Sequence, residues 1–299
     1  MRQGIATLCA LAFVLAGASA CAQESKPAVK ELEVTADDVT LHARIAGNED
    51  APAVLVALHG GPGNSSDYMI SLEQLAGPQL AVVTYDQRGT GRSSEPSQGY
   101  SMPRYIADME AVRQALGAEA IDLLGHSWGG VLALRYAAAY PERVSSIILM
   151  GSGVITPEAA EAAQESKAQR VLALQEQGVI PRTIQSLADL LPVYFSDPSF
   201  VMPSELQDMH FDPMVEQKTW EALQDYDFSA ELDTLDQPIL ILWGEDDPFG
   251  MAYVEAARRA LSGAELEVVL LDDCGHYWHE CPDAFFEHVR TFLEMAAAE

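Results

Sequence analysis

Short apolar runs of strand length recur along the chain, at residues 53–58, 80–85, 121–124, 144–150, 239–243 and 266–271. Between most of them apolar residues return at helical spacing, at about 102–117, 127–140, 251–262 and 282–296. Continuous apolar strands alternating with amphipathic helices describe an α/β fold, a mainly parallel sheet covered on both faces. Ahead of them, residues 31–34 and 39–45 alternate polar and apolar positions, as an opening antiparallel pair would. The rhythm breaks between 154 and 236. There the pattern is helical throughout, opening with Thr156 as N-cap, Pro157 at the first helical position and acids in the first turn. Inserted after the strand 144–150, this block cannot join the sheet. It is expected over the carboxyl edge, where open α/β sheets bind ligands, as a lid. A separate domain of about 80 residues without a strand would have a thin core.

Composition narrows the partners. With 45 acidic against 17 basic side chains and a formal charge of −28, the surface repels nucleic acid, which is excluded as a partner. The N-terminus is a separate matter. Arg2 precedes an apolar stretch, 4–17, that ends in Ala18-Ser19-Ala20-Cys21. That layout reads as a secretory signal over 1–20, too short for a spanning helix. Ala18-Ser19-Ala20 fits a signal-peptidase site. A cysteine directly after small residues also resembles a bacterial lipobox, with Ala18 where leucine is usual, which would lipidate Cys21 and anchor the chain to a membrane. The expected location is therefore exported, periplasmic or lipid-anchored. Residues 21–30 are then a polar tether, 31–153 and 237–299 the α/β domain, and 154–236 its helical cap. Cys274 and Cys281 bracket His276; in an oxidising compartment they are either a disulfide or two buried thiols.

The candidate chemistry starts at Gly125-His126-Ser127-Trp128-Gly129, where a buried strand runs out and a helical pattern begins. Strand, tight turn and helix are what a nucleophile elbow needs, with small neighbours letting strand and helix approach closely. A serine hydroxyl is a poor nucleophile without a base and an oriented acid. Among seven histidines, His42 lies in an early strand, His210 in the insertion and His288 in the last helix. His276 and His279 both follow the strand 266–271. His276 comes first, after Gly275, and is assigned the base, with His279 its rival. The acid should follow another strand, and 239–243 runs into Glu245, Asp246 and Asp247, among which chemistry alone does not choose. Nucleophile, acid, then histidine is the α/β-hydrolase order.

Three motifs in order, His59-Gly60-Gly61-Pro62-Gly63, the turn Asp86 to Ser94, and Gly125 to Gly129, resemble the proline iminopeptidase branch of the α/β-hydrolases. The resemblance covers about 30–153 and 237–296. It implies an α/β-hydrolase fold with a helical lid, and it picks Asp247, three residues after Gly244, as the acid. It also implies that His59 to Gly63 carries an oxyanion donor, because a glycine loop lets amides approach a developing oxyanion closely. The amides of Gly61 and Trp128 are assigned that role. Asp86 to Ser94 is read as a supporting turn, with Asp86 and Arg88 ion-paired. The chain departs from the family elbow at His126, where glycine is more usual. Peptidase members hold a free α-amine with acidic lid residues, and 154–236 carries 16 acids against 4 bases. Those acids either meet a cationic amino terminus or line solvated helix faces.

The expected activity is an exported serine hydrolase with Ser127 as nucleophile, His276 as general base then acid, and Asp247 orienting the imidazole. Its substrates are small molecules or short peptides, and an aminopeptidase releasing N-terminal proline is the first choice. Ester or lactone hydrolysis by the same triad is the alternative; a binding protein on a hydrolase scaffold is the alternative of another class. No metal-ligand spacing and no nucleotide fingerprint occurs, so neither metal nor cofactor is inferred.

Overall fold

The computed structural model describes residues 27–223 and 227–298. The expected signal segment 1–20 and Cys21 lie outside the described residues. Strands β1 (Val29–Ala36), β2 (Val39–Ala46), β3 (Ala53–Leu58), β4 (Leu80–Tyr85), β5 (Ile121–His126), β6 (Val144–Met150), β7 (Ile239–Gly244) and β8 (Leu266–Leu271) form one sheet. Their order is β1-β2-β4-β3-β5-β6-β7-β8. The first two pairings, β1 with β2 and β2 with β4, are antiparallel, and the rest are parallel. The helices are α1 (Met102–Ala115), α2 (Trp128–Ala139), α3 (Pro157–Glu176), α4 (Leu187–Leu190), α5 (Ser204–Gln207), α6 (Pro213–Ala222), α7 (Ala252–Ala260) and α8 (Pro282–Ala296).

The two sheet faces explain the continuous apolar runs. Successive strand residues point to opposite sides. Val56, Leu123, Ile147 and Ile241 pack under Tyr105 of α1, Leu132 of α2 and Val254 of α7. Their neighbours Leu55, Leu124, Ile148 and Leu240 pack on the other face, against Leu72 of the short helix Asp67–Leu75 and Phe285 and Val289 of α8. With helices on both sides, most positions of a central strand are apolar, and polar exceptions such as Ser146 and Asp122 hydrogen-bond each other at 2.7 Å. β2, by contrast, alternates buried and accessible positions.

Between β6 and β7 come α3 to α6, with no named strand among the described residues. Thr156 caps α3, its side chain accepting from the Ala159 amide at 3.2 Å. The block has a small cluster of its own, Leu174, Ile180 and Val193. Leu191, Phe195 and Leu206 instead join the core of the sheet domain. Beyond that small cluster, the helices pack onto the sheet domain.

The expected Asp86–Arg88 ion pair does not form. Arg88 is fully buried and turns to α1, donating from Nε and Nη2 to the two oxygens of Asp108 at 2.8 and 2.7 Å. Asp86 accepts from the Ser66 amide and hydroxyl, both at 2.8 Å, and from the Arg92 amide at 2.9 Å. Backbone donors satisfy one carboxylate, and the guanidinium fork matches the other bidentately. Arg88→Met strands the Asp108 carboxylate in the core, so urea unfolding should show a loss of about 3–5 kcal/mol. A loss below ~1 kcal/mol would mean that the buried pair is dispensable.

Candidate active site

β5 ends at His126 and α2 begins at Trp128, so Ser127 alone makes the turn. Its backbone sits at φ 53° and ψ −120°, a region where a residue other than glycine is strained by about 1–3 kcal/mol. The glycines of the motif are there for close approach. A Cβ on Gly125 would lie 2.4 Å from the Gly130 backbone, and one on Gly129 would lie 2.0 Å from the Leu58 carbonyl oxygen. The Ser127 amide donates to Met150 O at 3.0 Å and its carbonyl accepts from Ser152 Oγ at 2.7 Å, tying the turn to β6 and the loop after it.

Asp247 follows β7 and His276 follows β8, and both are buried. His276 Nδ1 lies 2.7 Å from Asp247 Oδ2. An ionised carboxylate can only accept, so Nδ1 carries the proton and Nε2 keeps its lone pair. The other carboxylate oxygen accepts from the Phe249 amide at 2.9 Å, which fixes the acid's orientation. Asp246 is exposed and accepts from Ser196 Oγ at 2.7 Å, and Glu245 is also exposed. His279, the rival base, makes no hydrogen bond to a carboxylate among the described residues; its Nε2 donates to Tyr68 O at 3.1 Å and its ring stacks on Trp278.

Ser127 and His276 line one cavity of about 610 Å³, with Gly61 in its wall. The Ser127 hydroxyl makes no hydrogen bond among the described residues, so the cavity rather than a formed contact brings the pair together. The amides of Gly61 and Trp128 likewise donate to no acceptor among the described residues, leaving both N–H groups unspent beside Ser127.

Beneath the site runs a polar chain that sequence reading did not identify. The Gly60 amide donates to Tyr68 Oη at 2.6 Å, Tyr68 Oη donates to His126 Nδ1 at 2.7 Å, and His126 Nε2 donates to the His276 carbonyl at 2.9 Å. That assignment is the one tautomer compatible with a carbonyl acceptor. Burial, then the neighbouring His276, holds His126 well below the ordinary histidine pKa, so it stays neutral. Its sequence signal was the departure from glycine at that position. Glu280 was missed altogether. It accepts from the amides of Gly275, Ser196 and Asp197 at 2.9, 2.8 and 3.1 Å, fastening the histidine loop to the helical block. Cys274 and Cys281 form a disulfide across the same loop. On the other side, Gln87 supports the glycine loop: its amide donates to His59 Nε2 at 3.0 Å, and its side chain accepts from Trp128 Nε1 at 3.0 Å.

Two charged side chains of the helical block line the cavity, Lys167 from α3 and Glu216 from α6. Burial pushes the Glu216 carboxyl above its usual range, with Lys167 opposing. Burial pulls the Lys167 ammonium down, with Glu216 and Asp247 opposing. A recess of about 100 Å³ opens beside Ser127, walled by Val131, Ile155, Trp220 and Phe249. Among the described residues no group of three or more His, Cys, Asp or Glu could hold a metal ion.

A family model described as the alpha/beta hydrolase fold matches residues 53–280. Over 286 residues the chain is 29% identical to a proline iminopeptidase of Lactobacillus crispatus, covering 84% of this chain and 94% of that protein. Its fold is similar to the crystal structure of a proline iminopeptidase of Mycobacterium smegmatis, with a TM-score of 0.69, 22% identity and coverage of 90% and 100% of the two chains. It is also similar to an N-acyl homoserine lactone degrading enzyme, with a TM-score of 0.61, 26% identity and coverage of 87% and 100%.

The buried histidines make stability depend on pH. Burial lowers the His279 pKa from 6.5 to about 4, against the opposing charge of Glu205. The unfolded chain then takes up this proton at a higher pH than the folded one. Stability is thus lost as pH falls from 6.5 towards 4. Between pH 7 and pH 5, wild type should lose about 2 kcal/mol more unfolding free energy than His279→Gln. Parallel profiles for the two proteins would contradict a largely buried, neutral His279.

Proposed function

Because the chain belongs to the alpha/beta hydrolase fold family, we propose that it works through an acyl-enzyme on Ser127, as an aminopeptidase of the proline iminopeptidase type. The observation that carries this reading is one cavity lined by Ser127, His276 and the half-buried carboxylate Glu216, with a small apolar recess beside the serine.

In this reading the substrate's free α-amine meets Glu216 and its first side chain enters the recess. About 100 Å³ suits a compact ring such as proline's better than a large aromatic side chain. Ser127 Oγ attacks the first carbonyl carbon while His276 Nε2 takes its proton, and Asp247 steadies the imidazolium that forms. The carbonyl oxygen becomes an oxyanion between the amides of Gly61 and Trp128. His276 then gives its proton to the departing amine nitrogen as the C–N bond breaks. Water, deprotonated by the same histidine, attacks the ester carbonyl and releases the amino acid and Ser127. The proline iminopeptidase relatives support the choice of bond. Ester or lactone hydrolysis is the second reading, supported by the similarity to the lactone-degrading enzyme, since the triad needs no nitrogen leaving group.

A substrate panel separates the two. Prolyl-naphthylamide should be cleaved with a kcat/KM on the order of tenfold or more above phenylalanyl-naphthylamide. Glu216→Gln should raise KM for the prolyl substrate on the order of tenfold more than for naphthyl butyrate, which has no amine to lose. Ester turnover exceeding every aminoacyl substrate, with no differential effect of Glu216→Gln, would contradict the aminopeptidase reading.

A further inference from the structure

The Lys167 ammonium is held by a hydroxyl and two aromatic rings, with the charges of Glu216 and Asp247 acting on it only from beyond ion-pair distance. Its ammonium donates to Tyr194 Oη at 2.6 Å and lies 5.0 Å from the Tyr194 ring centroid and 5.2 Å from that of Phe249. No ion pair joins it to a carboxylate among the described residues. Arg44, Arg88 and Arg113 reach carboxylates at 2.7, 2.7 and 2.6 Å, and Arg170, also on α3, donates to the carbonyls of Phe195 and Ser196 at 2.8 and 3.1 Å. In a chain with 45 acids to 17 bases, this half-buried lysine makes no close ion pair among the described residues. An ammonium has three donors, and Tyr194 uses one. Both remaining donors belong to a side chain that lines the cavity shared by Ser127 and His276.

Its position has a chemical meaning. Phe249, beside which the ammonium sits, is 5.2 Å from the His276 ring between centroids. His276 is the group that hands a proton to the departing nitrogen. In a dipeptide that nitrogen is two bonds, about 2.5 Å, from the carbon of the terminal carboxylate. In a longer or blocked peptide the same place holds a neutral amide carbonyl. Glu216 lines the same cavity, so an amine and a carboxylate each have a counter-charge within one space of about 610 Å³.

We propose that Lys167 receives the free carboxylate of the leaving residue, so that this site selects zwitterionic dipeptides over longer or C-terminally blocked peptides. The inference rests on the aminopeptidase reading above and deepens it by naming the substrate's far end.

The test compares prolyl-alanine with prolyl-alaninamide, which differ only in that carboxylate, alongside prolyl-naphthylamide as a reporter of the basic activity. Wild type should favour the free acid by on the order of tenfold or more in kcat/KM, expressed mainly in KM. In Lys167→Met the acid-to-amide ratio should fall to about one, while Lys167→Arg should keep most of it. A purely structural lysine would lower both substrates together and leave the ratio standing. A wild-type ratio at or below one, or a ratio that survives Lys167→Met, overturns the proposal while cleavage of prolyl-naphthylamide leaves the aminopeptidase reading in place. Failure to cleave any of the three overturns both.

Discussion

A histidine serves as a base towards a serine only while its other nitrogen is held, and here the holding contact spans two loops. Asp247 and His276 are 29 residues apart, yet their side chains meet at 2.7 Å. The parallel pairing of β7 with β8, in register from Ile239 opposite Leu266 to Gly244 opposite Leu271, brings their carboxyl ends side by side. β5 is parallel to them in the same sheet, so Ser127 emerges at that edge too. Reversing any one of the three strands would carry its residue to the opposite edge of the sheet. The apolar runs that make those strands buried on both faces are thus the first condition for any chemistry at this edge.

Placement at the edge is coarse, and the finer positioning comes from polar groups that have no water to fall back on. The Gly60 amide, Tyr68 hydroxyl, His126 imidazole and His276 carbonyl form a single directional chain, each donating to the next. It links the glycine loop, the serine turn and the histidine loop, which belong to three different strands. Breaking one link leaves a buried donor or acceptor unsatisfied, at a cost of about 1–3 kcal/mol. That penalty couples the positions of the three loops. The helical block is drawn into the same unit, since the His276 amide donates to Tyr194 O at 2.7 Å and Glu280 gathers three further amides.

The sheet, its helices and the family were legible in the chain because burial on two faces leaves a periodic mark. The three loops of the candidate site were legible because a close backbone approach demands glycine, and glycine clusters are visible. Contacts between distant polar residues leave no such mark. Arg88 was paired with its neighbour Asp86, whereas its partner lies on α1 at Asp108. His126 could be noticed only as a departure from glycine, since its partners are Tyr68 and a carbonyl 150 residues away. Lys167 and Glu216 were part of an acidic block with no visible division between solvated faces and cavity walls. Their separation from the other charges depends on how α3 and α6 pack, which local pattern does not encode.

The central claim is that Ser127 is a nucleophile because Asp247 and His276 make it one. Mass spectrometry of the chain after reaction with a fluorophosphonate tests it directly. Wild type should gain a single phosphonyl group, mapped to the peptide containing Ser127. Asp247→Asn should react on the order of 10⁴-fold more slowly, because the wrong tautomer of His276 is then favoured. Labelling at another residue, or labelling of Asp247→Asn at the wild-type rate, would contradict the account.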